Sequence, residues 1–519
     1  MNDEIELKLA VAPEHVERLK RHPILRALKE TRGTTKRLVS TYYDTPALEL
    51  LHKAVALRVR KIGQQRIQTI KREPKAGKSL IARQEWEKHI DGDRPDISMV
   101  EDPELRSLIE THANEGELKP VFVTDVTRQV WPIRMGTSRI ECALDVGEIK
   151  AEGKTAPVCE VELGLVSGTP SKLFELARKL NKTIPLRLEH TSKAERGYNL
   201  LTGVTPAPKR AAAVHLESEM TVRSAFAAIA RGCVMHILDN VESAHHGEDP
   251  EGLHQLRVGI RRLRAAFSVF REAIPETDRE AIGGQLRRLQ QELGPAREWD
   301  VFIDSTMRIV AKRLHSAKGL DVLLDAAEGE RRRGYERART ALTDPLCTDL
   351  LLHLEAWLDG MLTNGINFTN GHKHEGEDTL NGVLDRPILA FATEVLRARH
   401  AKVLKLGARG RKISDDEIHE LRIRVKKLRY AIEFFRDLYN DKSIKRFTTT
   451  LRGLQEVLGT AHDALVADDL IPRLETIADV GAERAIGQLQ GWCAAQIKHD
   501  RKRLDALWGN FARLRPFWK

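Results

Sequence analysis

The sequence predicts an α+β protein in two parts: an antiparallel β-rich region over roughly the first two hundred residues, then an all-α region. Three observations predict it. At least seven segments of the first part place charged residues on one face at a period of two. Beyond a Pro/Gly-containing stretch near residue 208, that alternation gives way to helical periodicity. Within the second part, one segment recurs 165 residues further along.

The bulk properties fit a folded protein of two or more domains. The chain has 519 residues, 41% hydrophobic and 31% charged, which is globular rather than disordered. No run of about 18 apolar residues predicts a transmembrane helix. The start is charged from Asp3 onward and lacks the apolar core of a signal peptide. Cys142, Cys159, Cys233, Cys347 and Cys493 are scattered, with no zinc-type spacing, and suit a reducing cytoplasm. The net charge of +10 favours polyanionic partners but names none. The excess is shared, five positive charges on either side of residue 203, so an anion site must come from local arrangement.

Taken in order, the first strand covers residues 4–8, with Glu4, Glu6 and Lys8 on one face and Ile5, Leu7 and Leu9 on the other. Residues 14–30 read as a helix interrupted near Pro23. Residues 38–45 are β-rich and end in a turn. Residues 56–60 put Arg58 and Arg60 on one face. Residues 66–72 align Lys71 with Thr69 and Ile67, and Arg83, Glu85 and Glu87 alternate with Gln84 and Trp86. Residues 121–131 carry Arg128. Residues 139–145 align Arg139, Glu141 and Asp145, and residues 158–165 align Glu160 and Glu162. Residues 171–180 read as a helix. Two arrangements account for these faces. A two-layer sheet would turn its charges to solvent. A closed antiparallel barrel would turn them into a lumen, where glutamates hold hard divalent cations and arginines and lysines hold phosphate oxygens.

The order of these residues resembles the CYTH family, the triphosphate tunnel metalloenzymes, over residues 2–202. Glu4, Glu6 and Lys8 match its opening E-x-E-x-K. Tyr43, Asp44 and Thr45 match a turn, Leu57, Arg58 and Arg60 a strand, and Thr69, Lys71 and Arg72 another. Glu85, Glu87, Arg128, Glu141, Asp145, Glu160 and Glu162 follow in the family's order, and Lys193, Ala194, Glu195 and Arg196 resemble its closing signature. The chain departs where the family has a glycine before Leu57, reading His52-Lys53-Ala54-Val55-Ala56. The resemblance implies an eight-stranded antiparallel β-barrel tunnel with flanking helices. It further implies that Glu4, Glu6, Glu160 and Glu162 hold Mg²⁺ or Mn²⁺, and that Lys8, Arg58, Arg60, Lys71 and Arg128 bind phosphates. Glu4, Glu6, Lys8 and Asp145 would form the catalytic set, Asp145 by holding metal or orienting water.

Residues 202–213, with Gly203, Pro206 and Pro208, read as a linker. The expected division is residues 1–203, a linker at 204–215, and a helical domain at 216–515. A polar stretch at 363–382 divides the helical half. Across it, His254-Gln255-Leu256-Arg257 through Leu263-Arg264 matches His419-Glu420-Leu421-Arg422 through Leu428-Arg429. The Leu289-Gln290 and Leu293-Gly294 pairs recur as Leu454-Gln455 and Leu458-Gly459 at the same offset. On a helix, Leu256, Ile260, Leu263 and Phe267 make a core stripe, and His254, Arg257, Arg261 and Arg264 a basic stripe beside it. The second copy repeats this with Leu421, Val425, Leu428 and Ile432 beside His419, Arg422, Lys426 and Arg429. Such stripes are either solvated faces or, if the copies pack about a pseudo-twofold, the lining of one anion groove. No second histidine lies at i+3 or i+4 from His254 or His419, which leaves a metal role without local support.

These repeats resemble the CHAD domain over residues 216–515, with its H-x-L-R-V-x-x-R-R-L-R signature in both copies. Gln290, Leu293, Gly294, Arg297 and Glu298 match its next segment. In the second copy His462 replaces the arginine, followed by Asp463. The resemblance implies two four-helix units around a basic groove that binds inorganic polyphosphate, with Arg297 among the binding residues.

The two parts together lead to the expectation of a metal-dependent inorganic triphosphatase joined to a polyphosphate-binding helical domain, cleaving tripolyphosphate to pyrophosphate and phosphate. The rivals are another enzyme on the same tunnel, a thiamine-triphosphatase or adenylate cyclase, and a non-catalytic polyphosphate adaptor. Nucleic acid is not favoured, because aromatic content is 5% and neither basic stripe interleaves aromatics for base stacking. A cytoplasmic location is expected, with polyphosphate granules as a candidate place of association.

Overall fold

A computed structural model describes residues 3–72, 82–115, 117–314, 319–363, 382–410, 413–475 and 482–518. The backbone divides into two compact units, Met1–Ala207 with Thr343–Gly360, and Pro208–Leu342 with Met361–Lys519.

Among the described residues the first unit holds nine strands: β1 (Asp3–Val11), β2 (Thr34–Asp44), β3 (Val55–Ile62), β4 (Gln65–Arg72), β5 (Ala82–His89), β6 (Lys119–Met135), β7 (Ser138–Ala151), β8 (Lys154–Ser167) and β9 (Leu186–Leu188). They form one antiparallel sheet in the order β5-β4-β3-β2-β6-β7-β8-β1-β9. This corrects the expected eight-stranded closed barrel. One edge of β1 pairs with β8, while its other edge is shared. Residues Asp3 to Ile5 meet β5 there and Leu9 to Val11 meet β9, so β5 touches β1 over a short seam, not a full strand. The ninth strand arises because Leu186–Leu188 adds to the edge that β5 leaves free. The β7–β8 hairpin turns through Glu152 and Gly153, with φ of 47° and 76°, the paired positive values that a two-residue type I′ connection needs.

Helices cover the outer face: α1 (Val16–Lys20), α2 (Pro23–Leu28), α3 (Glu49–His52), α4 (Pro103–Glu115) and α5 (Ser171–Asn181). The expected helix at 14–30 is thus two short ones, because Pro23 starts the second. Leu7, Leu9, Leu144, Val161 and Leu163 pack with Leu19, Leu25, Leu173, Phe174 and Leu180 in one apolar cluster. Leu57, Val59 and Ile70 pack with Leu105 and Ile109 in another. A sixth helix, α6 (Lys193–Thr202), instead covers one end of the inner face, where Tyr198 meets Tyr42, Phe122, Val126 and Ile149. It sits close: a Cβ on Gly197 would lie 2.1 Å from the Phe122 ring. The Tyr-Asp-Thr turn is structural. Asp44 accepts the amides of Thr45, Leu50 and Leu51 and the Tyr198 hydroxyl, tying α3 and α6 to the end of β2.

The departure before Leu57 has a visible consequence. Helix α3 ends at His52, and Ala54 follows its C-cap with φ 55°, the left-handed position that glycine ordinarily fills. Ala54→Gly is expected to stabilise the first unit by about 0.5–1 kcal/mol, the steric penalty removed less the backbone entropy added. A shift of the urea midpoint to higher denaturant checks it.

The second unit repeats four helices at the 165-residue offset. In the first copy these are α7 (Val222–Leu238), α9 (Pro250–Val269), α10 (Glu276–Glu292) with α11 (Gly294–Phe302), and α13 (Leu320–Thr343). Short helices α8 (Val241–His246) and α12 (Arg308–Leu314) intervene. After α14 (Pro345–Thr363), the second copy has α15 (Ile388–Gly407), α16 (Asp415–Phe434), α17 (Asp441–Glu475) and α18 (Glu483–Ala512). Pro295 stands at the second position of α11, where the first copy breaks. The equivalent residue is Thr460, and α17 runs through it. Phe270 and Phe435 are equivalent under the repeat and touch, with ring centroids 5.8 Å apart. Phe226 and Phe391, also equivalent, both flank Phe270, at 5.1 and 5.2 Å. The copies therefore share one aromatic core. The polar divide at 364–381, with His372 and His374, lies outside the described residues. Among the described residues no helix is long and apolar enough to cross a membrane.

Candidate functional site

Strand register assembles a charged face in the first unit. Arg128 stands opposite Asp145, Asp145 opposite Glu160, and Glu162 opposite Lys8. On the other limb of the sheet Arg58 faces Thr69, Thr69 faces Glu87, and Lys71 faces Glu85. Alternation puts these side chains opposite the residues of the outer apolar clusters. Most are withdrawn from solvent: Asp145 is 0% exposed, Glu160 1%, Glu162 6%, Arg58 7% and Lys8 8%, while Glu85, Lys71 and Arg128 are half-buried and Glu87 is exposed. Buried charges must be compensated, and here they compensate each other.

Lys8 Nζ lies 3.5 Å from Glu6 and 3.3 Å from Glu162. Arg128 donates from Nε and Nη2 to Asp145 at 2.7 Å each, and from Nη2 to Glu162. Lys71 pairs with Glu85 at 2.5 Å, and Arg58 with Glu85 at 3.3 Å and Glu87 at 3.9 Å. Arg60 donates to Ser40 Oγ at 3.2 Å. The side chain of Glu4 lies outside the described ones; its backbone pairs with Arg83. Asp145, Glu160 and Glu162 bring carboxylate oxygens within 4.8 Å of one another, a hard-oxygen donor set suited to Mg²⁺ or Mn²⁺. Among the described residues this cluster takes in Asp145 and leaves out Glu6, a different grouping from the expected Glu4, Glu6, Glu160 and Glu162.

Sequence reasoning matched Lys193 and Arg196 to a closing signature but gave them no role. Lys193, at the start of α6, reaches all three clustered carboxylates, at 2.8 Å from Asp145, 2.8 Å from Glu162, and in contact with Glu160. Arg196 Nη1 donates to Glu160 at 3.0 Å.

The electrostatics follow from these contacts. Burial opposes ionisation of Glu162, yet Arg128, Lys193 and Lys8 hold its carboxyl well below the usual range. Burial likewise opposes Asp145, but Lys193 and Arg128 keep it low. Glu6 is raised, first by burial and then by Glu162. Burial would lower the Lys193 ammonium, but Glu162, Glu160 and Asp145 raise it. The Arg60 guanidinium is pushed down to about 10 by burial and by Arg58 and Arg128.

In the second unit the structure brings the two repeated basic stripes into one neighbourhood. Arg261 of α9 repels both Arg422 and Lys426 of α16, and Arg297 of α11 attracts Asp463 of α17. Burial, then Arg422 and Arg261, push the Lys426 amine down to about 7. Burial and Arg261 push Arg257 down to about 10. His254 and His462 fall to about 4, each chiefly through burial, then through Arg297 and Arg422 respectively. The His419 and His462 rings lie 5.2 Å apart. Among the described residues, Arg257 Nε, Arg422 Nε and His254 Nδ1 are buried without a hydrogen-bond partner. Crowded, half-desolvated cations with unused donors are what an anion would relieve. Arg264 and Arg429 are more committed: Arg264 donates to Gln290 Oε1 at 2.6 Å, and Arg429 pairs with Glu433 at 3.2 Å and covers the Tyr430 ring.

Sheet, helical repeat and these two charged regions define a two-domain class. Residues 2–198 match the CYTH domain and residues 228–472 the CHAD domain, so the chain joins a CYTH domain to a CHAD domain. An inorganic triphosphatase of Haemophilus influenzae is 32% identical over 206 residues, 38% of this chain and 55% of that protein. The chain thus matches little more than half the length of that relative. The crystal structure of the CHAD domain from the plant Ricinus communis is 32% identical, with a TM-score of 0.51, covering 60% of this chain and 98% of that one. A Hippeastrum protein, reported with a dominant triphosphatase activity, is 20% identical over 38% of this chain and 95% of its own, with a TM-score of 0.30.

Proposed function

We propose that the first unit is a metal-dependent inorganic triphosphatase, cleaving tripolyphosphate to pyrophosphate and phosphate, and that the second unit binds inorganic polyphosphate. The observation that carries the first half is the buried to half-buried face on which Lys8, Arg58, Lys71 and Arg128 alternate with Glu6, Asp145, Glu160 and Glu162. A linear triphosphate needs both signs: cations for its oxygens, and carboxylates for the metal that travels with it.

In this reading the inner face of the sheet takes the triphosphate. Lys8, Arg58, Arg60, Lys71 and Arg128 take the phosphate oxygens, and the arginines do so with planar donor pairs. Asp145, Glu160 and Glu162 hold Mg²⁺ or Mn²⁺, with Glu6 extending the acidic side. When bound, that ion neutralises charge on the triphosphate and on the departing pyrophosphate. Asp145 fixes the plane of Arg128 through two hydrogen bonds, and Glu85 holds Arg58 and Lys71 in range of a common ligand. Burial lowers the local dielectric and strengthens each of these contacts toward developing charge. The relative from Haemophilus influenzae, an inorganic triphosphatase, supports this choice among triphosphates.

For the second unit, the meeting of Arg257, Arg261, Arg297, Arg422 and Lys426 supports one groove for a long anion, with His254 and His419 at its margin. Phosphate release from tripolyphosphate, ATP and thiamine triphosphate, with Mg²⁺ and with EDTA, tests the enzyme. Release from tripolyphosphate that EDTA abolishes is expected. Release of phosphate from thiamine triphosphate alone, or of cyclic nucleotide from ATP, would replace it with a different activity.

A further inference from the structure

Lys193 occupies the common centre of the three clustered carboxylates. Arg128 touches Asp145 and Glu162, and Lys8 touches Glu162 and Glu6, but neither has an ion pair with Glu160 among the described residues. Among the described residues, Lys193 alone pairs with all of Asp145, Glu160 and Glu162. Counted as formal charges, Glu6, Asp145, Glu160 and Glu162 balance Lys8, Arg128, Lys193 and Arg196. A divalent ion entering this balanced, buried group must meet the ammonium already there.

On the reading that these carboxylates hold a divalent cation, we infer that Lys193 is an internal counter-ion that a metal displaces. The ammonium holds Asp145, Glu160 and Glu162 together in the metal-free protein and sets a threshold for metal binding. The backbone of α6 need not move. Its place is fixed by the Tyr198 hydroxyl on Asp44 at 2.8 Å, by the close approach of Gly197 to Phe122, and by the Ser192 cap on the Glu195 amide. The four-carbon stem of Lys193 can rotate out of the cluster on its own. Arg196 remains on Glu160 when it does, so that carboxylate is not left bare. Two carboxylates of the cluster also keep Arg128, which their ladder positions on β7 and β8 hold close.

The test is a Mn²⁺ titration of the full chain at pH 8 without phosphate, read by the EPR signal of free Mn²⁺. Lys193→Met removes the charge and keeps the bulk. Its affinity for Mn²⁺ is expected to rise at least about tenfold, since a unit charge a few ångströms away in a partly screened site outweighs one decade of binding. Lys193→Arg, which restores the charge, is expected to return the affinity toward that of the parent protein. Equal or weaker Mn²⁺ binding by Lys193→Met would overturn the inference and leave the metal reading intact. No Mn²⁺ binding by parent or variant would defeat the metal reading itself, and this inference with it. A second readout needs no variant: acetylation of Lys193 by a water-soluble acylating reagent, followed by mass spectrometry. Protection without Mn²⁺ and labelling with it is expected; equal protection in both overturns the displacement.

Discussion

Glu162→Gln is expected to abolish metal-dependent phosphate release from tripolyphosphate, with turnover falling at least about a hundredfold. The residue was one of several glutamates in the sequence, but the fold makes it the meeting point of the charged face. Lys8 at 3.3 Å, Lys193 at 2.8 Å and Arg128 all converge on its two oxygens. Glutamine keeps the shape and removes the charge, so three cations lose one shared partner. Breaking a buried pair from one side costs about 3–5 kcal/mol. A lower unfolding temperature of the first unit should therefore accompany the loss of turnover. Polyphosphate binding by the second unit is expected to survive, which separates a local lesion from general misfolding. Unchanged turnover would remove Glu162 from the site.

Replacing Arg257, Arg261, Arg422 and Lys426 together by alanine is expected to weaken long-chain polyphosphate binding at least about a hundredfold. It should flatten the slope of log affinity against log salt by roughly three, as four released counter-ions predict. Undiminished affinity would mean the repeated stripes are solvated faces. The same site predicts a pH dependence. Burial, Arg422 and Arg261 depress the Lys426 amine to about 7, so it is largely neutral at pH 8. A polyanion binds the ammonium form, so binding takes up a proton there. Affinity should rise as pH falls through 7, by up to about tenfold per unit above it. Lys426→Arg, charged throughout, should flatten that profile between pH 6 and pH 8. His254 and His462, lowered to about 4 by burial and neighbouring arginines, are neutral over this range in the free protein.

The fold was legible where side chains alternate or recur. β1, β7 and β8 show their two faces in the residue order, and the 165-residue repeat announces α9 and α16 residue for residue. The short strand β9 was missed because Leu186-Arg187-Leu188 is too brief to carry a period, and only the free edge of β1 makes it a strand. The site was legible as residue types but not as groupings. Lys193 belongs with Asp145, Glu160 and Glu162 because α6 turns back over the inner face, and that return is a tertiary event. Likewise Asp44 reads as part of a motif beside charged strands, yet its hydrogen bonds show it holding a turn. The convergence of Arg261 with Arg422 depends on how the copies pack, which the aromatic contact of Phe270 with Phe435 fixes.

Helix α14 lies in the helical half of the sequence, within the region expected to form the second domain, but it packs in the first unit. Leu352 sits in the same apolar cluster as Leu9, Leu176 and Leu180. Asp349 accepts from Arg178 at 2.8 and 3.1 Å, Thr348 donates to the Leu186 carbonyl, and Asn181 donates to the Pro345 carbonyl. During synthesis, then, the nascent first unit waits for a piece that emerges about 150 residues after Ala207. At ribosomal speeds that is roughly 8–30 s, long compared with the folding of a small domain. Until α14 arrives, α5 and β9 present an apolar patch that invites chaperone capture. A gene truncated after the sheet would leave that patch open permanently.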